Sequence, residues 1–414
     1  MPTLKPSRIR VLYVSTPQGH AGALIKDSRH SFTYAPEILE PAESQRAISL
    51  TMPLRAAPWL RTTMLPAFQT FLPEGFLRER ITEKLGKAMR VDDMALLAFS
   101  GENAIGRLRV SASRDASPDA GTRESLAEIM AHQGARDLFE YLCDRYLISS
   151  GIAGVQPKVV VPVDAPDATP FQASVIKPSI GEKSTLRARQ LIVKVAGADY
   201  PNLAVNEFNC MSIARACGAD LIETPPFWLS EDGQRMAIER FDIDPASGRY
   251  LGFEDMVSLQ GKVNEEKYEG SYESIALAIR RNGSAPYVAD SLRRLFALVV
   301  LSVVLRNGDA HLKNFGLVYT DPTSDDCRLA PAYDLVNTTV YLPKDVLALK
   351  LGGTKAWPDR ARLETFGRGH CDLVKPGLVI ARVIEAAAGF RPRESDAFWI
   401  HMREQIERGA AALA

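Results

Sequence analysis

Cysteine is scarce in this chain and badly placed for bonding. Cys143, Cys210, Cys217, Cys327 and Cys371 form no C-x-x-C pair and have no histidine at zinc-ligand spacing. A disulfide framework and a zinc motif are thereby excluded, and the thiols read as reduced and structural. Net charge is missing as well, since fifty Lys and Arg face fifty Asp and Glu for a formal charge of +0. No overall field draws the chain to nucleic acid, so any DNA contact has to come from a local patch or a partner. Long apolar runs are also lacking. The strongest, Leu295 to Leu305, is too short for a bilayer, and Met1 to Arg10 lacks the apolar core of a signal peptide. The expectation is a soluble cytoplasmic protein with no membrane contact. No internal repeat is evident.

What is present is an ordinary globular composition, 46% apolar and 24% charged, over 414 residues, long enough for two or more packed domains. The stretch that organises the rest is Arg306 to Asn314. Asp309 and Asn314 have the D-x-x-x-x-N spacing of a kinase catalytic loop. Leu292, Leu295, Phe296, Val299, Val300 and Val303 before it predict a buried helix ending at Asn307-Gly308. Phe315 to Tyr319 and Leu329 to Tyr333 read as two strands around a turn, and the second delivers Asp334 where a kinase has its metal-binding aspartate. Phosphoryl transfer needs one carboxylate to orient an attacking hydroxyl and further oxygens to hold magnesium. Asp309 suits the first role, Asn314 and Asp334 the second. Asn-Gly-Asp is also a common helix stop, so the spacing alone leaves a plain turn open.

Along the chain, Arg8 to Val14, Ala23 to Ile25, Phe32 to Tyr34 and Ala47 to Leu54 read as strands. Phe68 to Leu85 has helical spacing, with Arg78, Glu79, Arg80, Glu83 and Lys84 as its solvated face. Ser111 to Thr122 is the clearest linker, and Glu124 to Leu147 is helical in pattern. Ser149 to Lys158, rich in small residues, precedes the strand Val159 to Val163 and suits a loop whose N–H groups approach phosphate; an ordinary loop reads alike. It matches neither the G-x-x-x-x-G-K-[ST] nor the G-x-G-x-x-G fingerprint. Phe171 to Lys177 reads as a strand whose Lys177 could clamp phosphates, or simply guard a sheet edge. Asn206 to Ala216 is a helix with Glu207 near its start, able to pair with Lys177 or to favour the helix dipole. Phe227 to Leu229 and Arg235 to Phe241 form a hairpin, placing Glu239, Arg240 and Phe241 where two kinase lobes join and backbone groups could bind adenine. Phe253 to Leu305 is helical with breaks, and Glu364 onward is mainly helical.

The order is that of a kinase: phosphate loop, strand lysine, helix glutamate, hinge, catalytic aspartate, metal aspartate. The chain also resembles the HipA family, the serine/threonine kinase toxins of bacterial toxin–antitoxin operons. The resemblance rests on Ala153-Gly154-Val155-Gln156-Pro157-Lys158, Ile176-Lys177-Pro178, Asn206-Glu207, Glu239-Arg240-Phe241, Glu254-Asp255-Met256, Asp309-Ala310-His311-Leu312-Lys313-Asn314 and Tyr333-Asp334. Phe32 to Glu37, Phe71-Leu72-Pro73-Glu74 and Arg78 to Ile81 extend it to the N-terminal part.

The resemblance implies an α+β, protein-kinase-like, two-lobed fold with an extra N-terminal α/β subdomain and a mainly helical C-terminal lobe. The expected division is 1–115, 123–241 and 242–414. It implies ATP and Mg2+ as cofactors, Asp309 as catalytic residue, and Asn314 and Asp334 as metal ligands. Ala153, Gly154, Val155, Gln156, Pro157, Lys158, Lys177, Glu207, Glu239, Arg240, Phe241, His311, Leu312, Lys313 and Tyr333 would serve the ATP site. His311, second after Asp309, would contact the transferring phosphate. The implied partners are a protein substrate such as an aminoacyl-tRNA synthetase and a HipB-type helix-turn-helix antitoxin, through which operator DNA is reached.

The family keeps a regulatory serine at its phosphate loop, where this chain has Gly151 and Ala153, leaving Ser150 and Ser149 as autophosphorylation candidates. A kinase-fold co-repressor, acting mainly by binding a DNA-bound antitoxin, is the alternative function. Kinases of the aminoglycoside or choline type fit less well, because Asn307 stands where their loop has histidine.

Overall fold

The computed structural model describes residues 9–86, 90–101, 104–114, 129–130, 158–163, 189–195, 200–244, 246–391 and 397–414. Three antiparallel sheets and a helical C-terminal part make up these residues; apolar alternation marks the first sheet, whereas β10 and β11 of the third are buried at every position. The first has the order β4-β3-β2-β1-β5, with β1 Val11–Thr16, β2 Gly19–Lys26, β3 His30–Tyr34, β4 Trp59–Arg61 and β5 Arg109–Ser111. Leu12, Val14, Leu24, Phe32 and Val110 point to its solvent-free side, where Phe68 and Leu97 close the core.

Ala47 to Leu54, read as a strand, is instead a loop with the single bridge Ser49–Met52. Its backbone is satisfied by a side chain: Tyr34 Oη accepts the Ile48 N–H at 3.1 Å and donates to the Met52 carbonyl. The helix expected over Phe68 to Leu85 divides into α1 Pro66–Gln69 and α2 Gly75–Leu85. Pro73 lacks an N–H, and Gly75 sits at φ +49°, so no helix runs through. Arg78, Glu79 and Glu83 are exposed on α2, as their charge indicates. α3, Asp93–Ser100, packs beside β5.

The second sheet runs β6-β7-β9-β8, from Lys158–Val163, Arg189–Val195, Arg235–Glu239 and Phe227–Leu229. β7 was not read from the sequence, yet it lies inside the sheet. Leu191, Val193 and Val195 pack into the core of the first sheet, which turns Ile192 and Lys194 to the opposite face. α4, Leu203–Ala216, covers part of that face.

The third sheet is β10-β11-β12, from Gly252–Asp255, Gly316–Tyr319 and Arg328–Leu329. β10 corrects the helical reading of Phe253 onward: helix resumes only at α5 Met256–Leu259, with Asp255 as its N-cap. α6 Tyr272–Asn282, α8 Arg360–His370, α9 Pro376–Gly389 and α10 Ala397–Ala411 surround α7, Ala285–Val304. The six apolar α7 residues singled out by their spacing are all solvent-free. Each contributes about 1.5–3 kcal/mol of burial, which makes α7 a rigid base for the loop after it. Cys210, Cys217, Cys327 and Cys371 are free and buried in this region, and burial pushes the Cys217, Cys327 and Cys371 thiols up to about 12. Among the described residues no helix is long and apolar enough to cross a membrane.

Two buried carboxylates join the N-terminal part to the third sheet. Glu254 accepts from Ser49 Oγ at 2.6 Å, from the Leu50 N–H at 2.8 Å and from Tyr319 Oη at 2.6 Å. Asp255 accepts from Thr70 Oγ1 at 3.1 Å and caps α5 through the Ser258 N–H at 2.8 Å. Burial pushes both carboxyls above their ordinary range. Glu254→Ala leaves the Leu50 N–H and Tyr319 hydroxyl without their acceptor, at about 1–3 kcal/mol for each orphaned group. Chemical denaturation is expected to register a loss of about 2–6 kcal/mol for the two groups together; one below about 0.5 kcal/mol, the level of an ordinary surface change, contradicts this joint.

Candidate active site

The loop after α7 is built by local chemistry. Leu305 caps the helix and Arg306 turns at φ 55°, the left-handed region that reverses the chain. The helix therefore stops just before the Asn307-Gly308 boundary read from the sequence. Asn307 is fully buried, and its Oδ1 accepts the Asp309 N–H at 3.0 Å, an Asx turn. Gly308 donates its N–H to Thr338 Oγ1 at 2.9 Å. A Cβ there would overlap the Asp345 carboxylate and come 2.7 Å from the Val346 carbonyl oxygen, so only glycine fits.

These constraints present Asp309, whose Oδ1 accepts the Tyr268 hydroxyl at 2.6 Å. Asn314 Nδ2 donates to the Asp309 carbonyl at 3.0 Å and to the Asp334 carbonyl at 3.5 Å. With its amide nitrogen so used, the oxygen of Asn314 is the end left to accept. Asp334 is at φ 56°, strained for a non-glycine residue, which is the kind of conformation that collects at functional sites.

The cation that meets these groups is Lys194. Its ammonium lies 2.5 Å from Glu207 Oε1 and donates to Asp334 Oδ1, with both Lys194 and Glu207 nearly solvent-free. Burial alone would lower the Lys194 pKa; Asp334 and then Glu207 more than offset it, so the ammonium stays charged well above the ordinary lysine range. Neighbouring Asn206 bonds the backbone of Asn337 twice, donating to its carbonyl and accepting its N–H, both at 2.8 Å. One turn of α4 thus fixes the lysine through Glu207 and the segment after Asp334 through Asn206.

By sequence Glu207 could pair with Lys177 or favour the helix dipole. Its described partner is Lys194, while Lys177 lies outside the described residues, as do Ser149, Ser150, Ala153, Gly154, Val155, Gln156 and Pro157. Lys158 begins β6 with its Cα opposite that of Lys194. At the junction of the sheets, Phe241 stacks on Tyr333 at 5.3 Å between centroids and meets Phe253 edge-on at 5.2 Å. The Glu239 N–H donates to the Pro226 carbonyl and that of Arg240 to the Gln190 carbonyl.

Four residues named for a nucleotide site have side chains engaged elsewhere. The Arg240 guanidinium is buried against Asp242, with N–O distances of 2.6 and 2.9 Å. Leu312 is solvent-free in the C-terminal core. Lys313 turns its ammonium to Glu74 at 2.6 Å and Asn264 at 2.9 Å. His311 is buried, its ring edge-on to Tyr268 at 5.0 Å and its Nδ1 without a described partner. Burial lowers its pKa, so the imidazole is neutral at physiological pH. Sequence reading missed Lys194 and Tyr268 altogether and gave Glu74 no role. A signal for Lys194 existed: it lies in an apolar-alternating strand 13 residues before Glu207.

A four-stranded sheet whose Lys194 pairs with Glu207 of α4 and reaches Asp334 of the helical part defines a protein-kinase-like α+β fold. The same fold is found in HipA of Shewanella oneidensis MR-1, solved with HipB and its operator DNA, at TM-score 0.66, 19% identity and 97% coverage of both chains. Family models described as the HipA N-terminal domain and the HipA-like C-terminal domain match residues 12–111 and 150–394. The chain belongs to the HipA family. Two Sinorhizobium fredii proteins named as candidate kinases are similar to it. Y4dM is 31% identical over 70% of this chain and 66% of its own length, a little under two thirds; Y4mE is 28% identical over 87% and 86%.

Proposed function

We propose that this chain is a magnesium- and ATP-dependent serine/threonine protein kinase, acting as the toxin of a bacterial toxin–antitoxin pair. The observation that carries the reading is Lys194 held between Glu207 and Asp334, beside Asp309 and Asn314. Asp334 brings carboxylate oxygens to the Lys194 ammonium, and the Asn314 amide, whose nitrogen bonds the Asp309 and Asp334 carbonyls, lies beside it. That donor set fits a hard divalent cation. Mg2+ is commonly held by one or two protein carboxylates together with phosphate oxygens.

Mg2+ and ATP, when bound, supply the transferable phosphoryl group and charge to offset its oxygens. Asn314 and Asp334 would hold the metal. Lys194, oriented by Glu207, would take phosphate oxygens, the role first assigned to Lys177. Asp309 would orient an acceptor hydroxyl and receive its proton. Phe241 and Tyr333 offer an aromatic wall for adenine, and the Ala153 to Lys158 loop would cover the phosphates. His311, being neutral, would bring no charge to the phosphates. Leu312 and Lys313 support the loop from behind.

Family membership is the support for the biological role. The expected acceptor is a serine or threonine of a translation component such as an aminoacyl-tRNA synthetase, and the expected partner is a HipB-type antitoxin. A chain of zero formal charge would reach operator DNA through that antitoxin. The test is label transfer from γ-labelled ATP to proteins of a bacterial lysate. Label is expected with magnesium and is expected to vanish with a chelator; label that persists without divalent metal contradicts the metal assignment. Label confined to the chain points to Ser149 or Ser150. A co-repressor without catalysis would bind ATP, transfer nothing and keep full operator repression in ATP-site variants.

A further inference from the structure

We propose that Glu74, from the N-terminal part of the chain, is a positioning residue of the phosphotransfer site, setting the catalytic loop through Lys313 and the acceptor side through Lys267. The inference rests on the kinase reading above and adds to it a residue 239 positions from the loop it holds.

Glu74 is the N-cap of α2, where a side-chain oxygen ordinarily bonds the helix's own N–H groups, yet it makes no such bond. Its carboxylate crosses instead to two lysines, with Oε1 2.6 Å from Lys313 Nζ and Oε2 3.1 Å from Lys267 Nζ. All three side chains are at most 15% exposed. Asn264 closes the cluster: its Oδ1 accepts from Lys313 at 2.9 Å and its Nδ2 donates to the Gln69 carbonyl at 3.2 Å. Burial would raise the Glu74 pKa, but Lys313 and then Lys267 more than offset it, so the carboxylate is held below the ordinary range.

Each lysine adjoins a residue of the site. Lys313 precedes Asn314, and its carbonyl accepts the Tyr333 hydroxyl at 2.8 Å, immediately before Asp334. Lys267 precedes Tyr268, which bonds Asp309, and its own carbonyl accepts the Leu312 N–H at 3.0 Å. One carboxylate therefore anchors the chain after Asp309 and the segment whose Tyr268 bonds the Asp309 side chain. A misplacement of about 1 Å at such a site costs on the order of 10²-fold in rate.

The experiment compares Glu74→Gln, Lys313→Met and the double variant in full-length protein, reading kcat, KM for ATP and the magnesium concentration for half activation. Glu74→Gln is expected to lower kcat by roughly 10- to 100-fold, leave KM for ATP within about threefold and raise the magnesium requirement. The double variant is expected to fall well short of the product of the two single effects, since the Glu74–Lys313 bond is lost in both. A merely structural Glu74 would reduce the active fraction without moving the magnesium requirement, and that result overturns the proposal, as do wild-type kinetics in Glu74→Gln or fully additive effects. If the wild-type chain transfers no phosphate, the kinase reading fails by itself. Hydrogen exchange then decides on Glu74: faster exchange of 309–314 in Glu74→Gln, with the first sheet unchanged, supports its hold on the loop, and unchanged exchange there refutes it.

Discussion

Asp309→Asn is expected to lower phosphoryl transfer by roughly 10²- to 10⁴-fold, the range general-base groups supply, while ATP affinity stays within a few fold. The amide oxygen can still accept the Tyr268 hydroxyl, and the backbone carbonyl that receives Asn314 Nδ2 is untouched, so the loop keeps its shape. What is lost is a carboxylate able to take the acceptor's proton. Calorimetry with ATP and magnesium, run beside label transfer, separates binding from chemistry. Wild-type transfer by Asp309→Asn would remove Asp309 from the mechanism.

Lys194→Met is expected to act on two levels. Methionine fills similar space but leaves the fully buried Glu207 without its described ammonium partner, and breaking a buried pair from one side costs about 3–5 kcal/mol. It also removes the cation aimed at phosphate, worth on the order of 10²- to 10³-fold in kcat for one preorganised electrostatic contact. Lys194→Met with Glu207→Gln relieves the stability loss but not the kinetic one. Lys177→Met is the comparison: if Lys194 is the phosphate cation, Lys177→Met keeps most of the activity. Reversal of those two results would return the role to Lys177. Denaturation midpoints and single-turnover rates of the three variants decide the matter.

The legible parts of the site are those whose information is local. The interval from Asp309 to Asn314 reflects a short loop with fixed contacts, and the hairpin that delivers Asp334 follows from apolar alternation and turn residues. Asn206 and Glu207 were visible as the start of a helix. Lys194 was not, because Ile176-Lys177-Pro178 offers the same strand-and-lysine appearance, and the place of Lys194 inside a sheet comes from the pairing of β7 with β6 and β9. Arg240 was named for backbone groups at the lobe junction; what no local pattern reveals is that Asp242, two residues on, neutralises its guanidinium in the interior. Ala47 to Leu54 reads as a strand until Tyr34 supplies its backbone with bonds no pattern reveals. Tyr268 and Glu74 belong to no periodic motif for this chemistry, and their partners lie 41 and 239 residues away. Long-range ion pairs leave little trace in one sequence.

The most direct test of the central claim is transfer of the γ-phosphate by the purified wild-type chain, with magnesium, to a second protein, followed by identification of the labelled amino acid. The account predicts label on serine or threonine of that acceptor. ATP binding at this site with no label on any acceptor, nor on the chain itself, would contradict it.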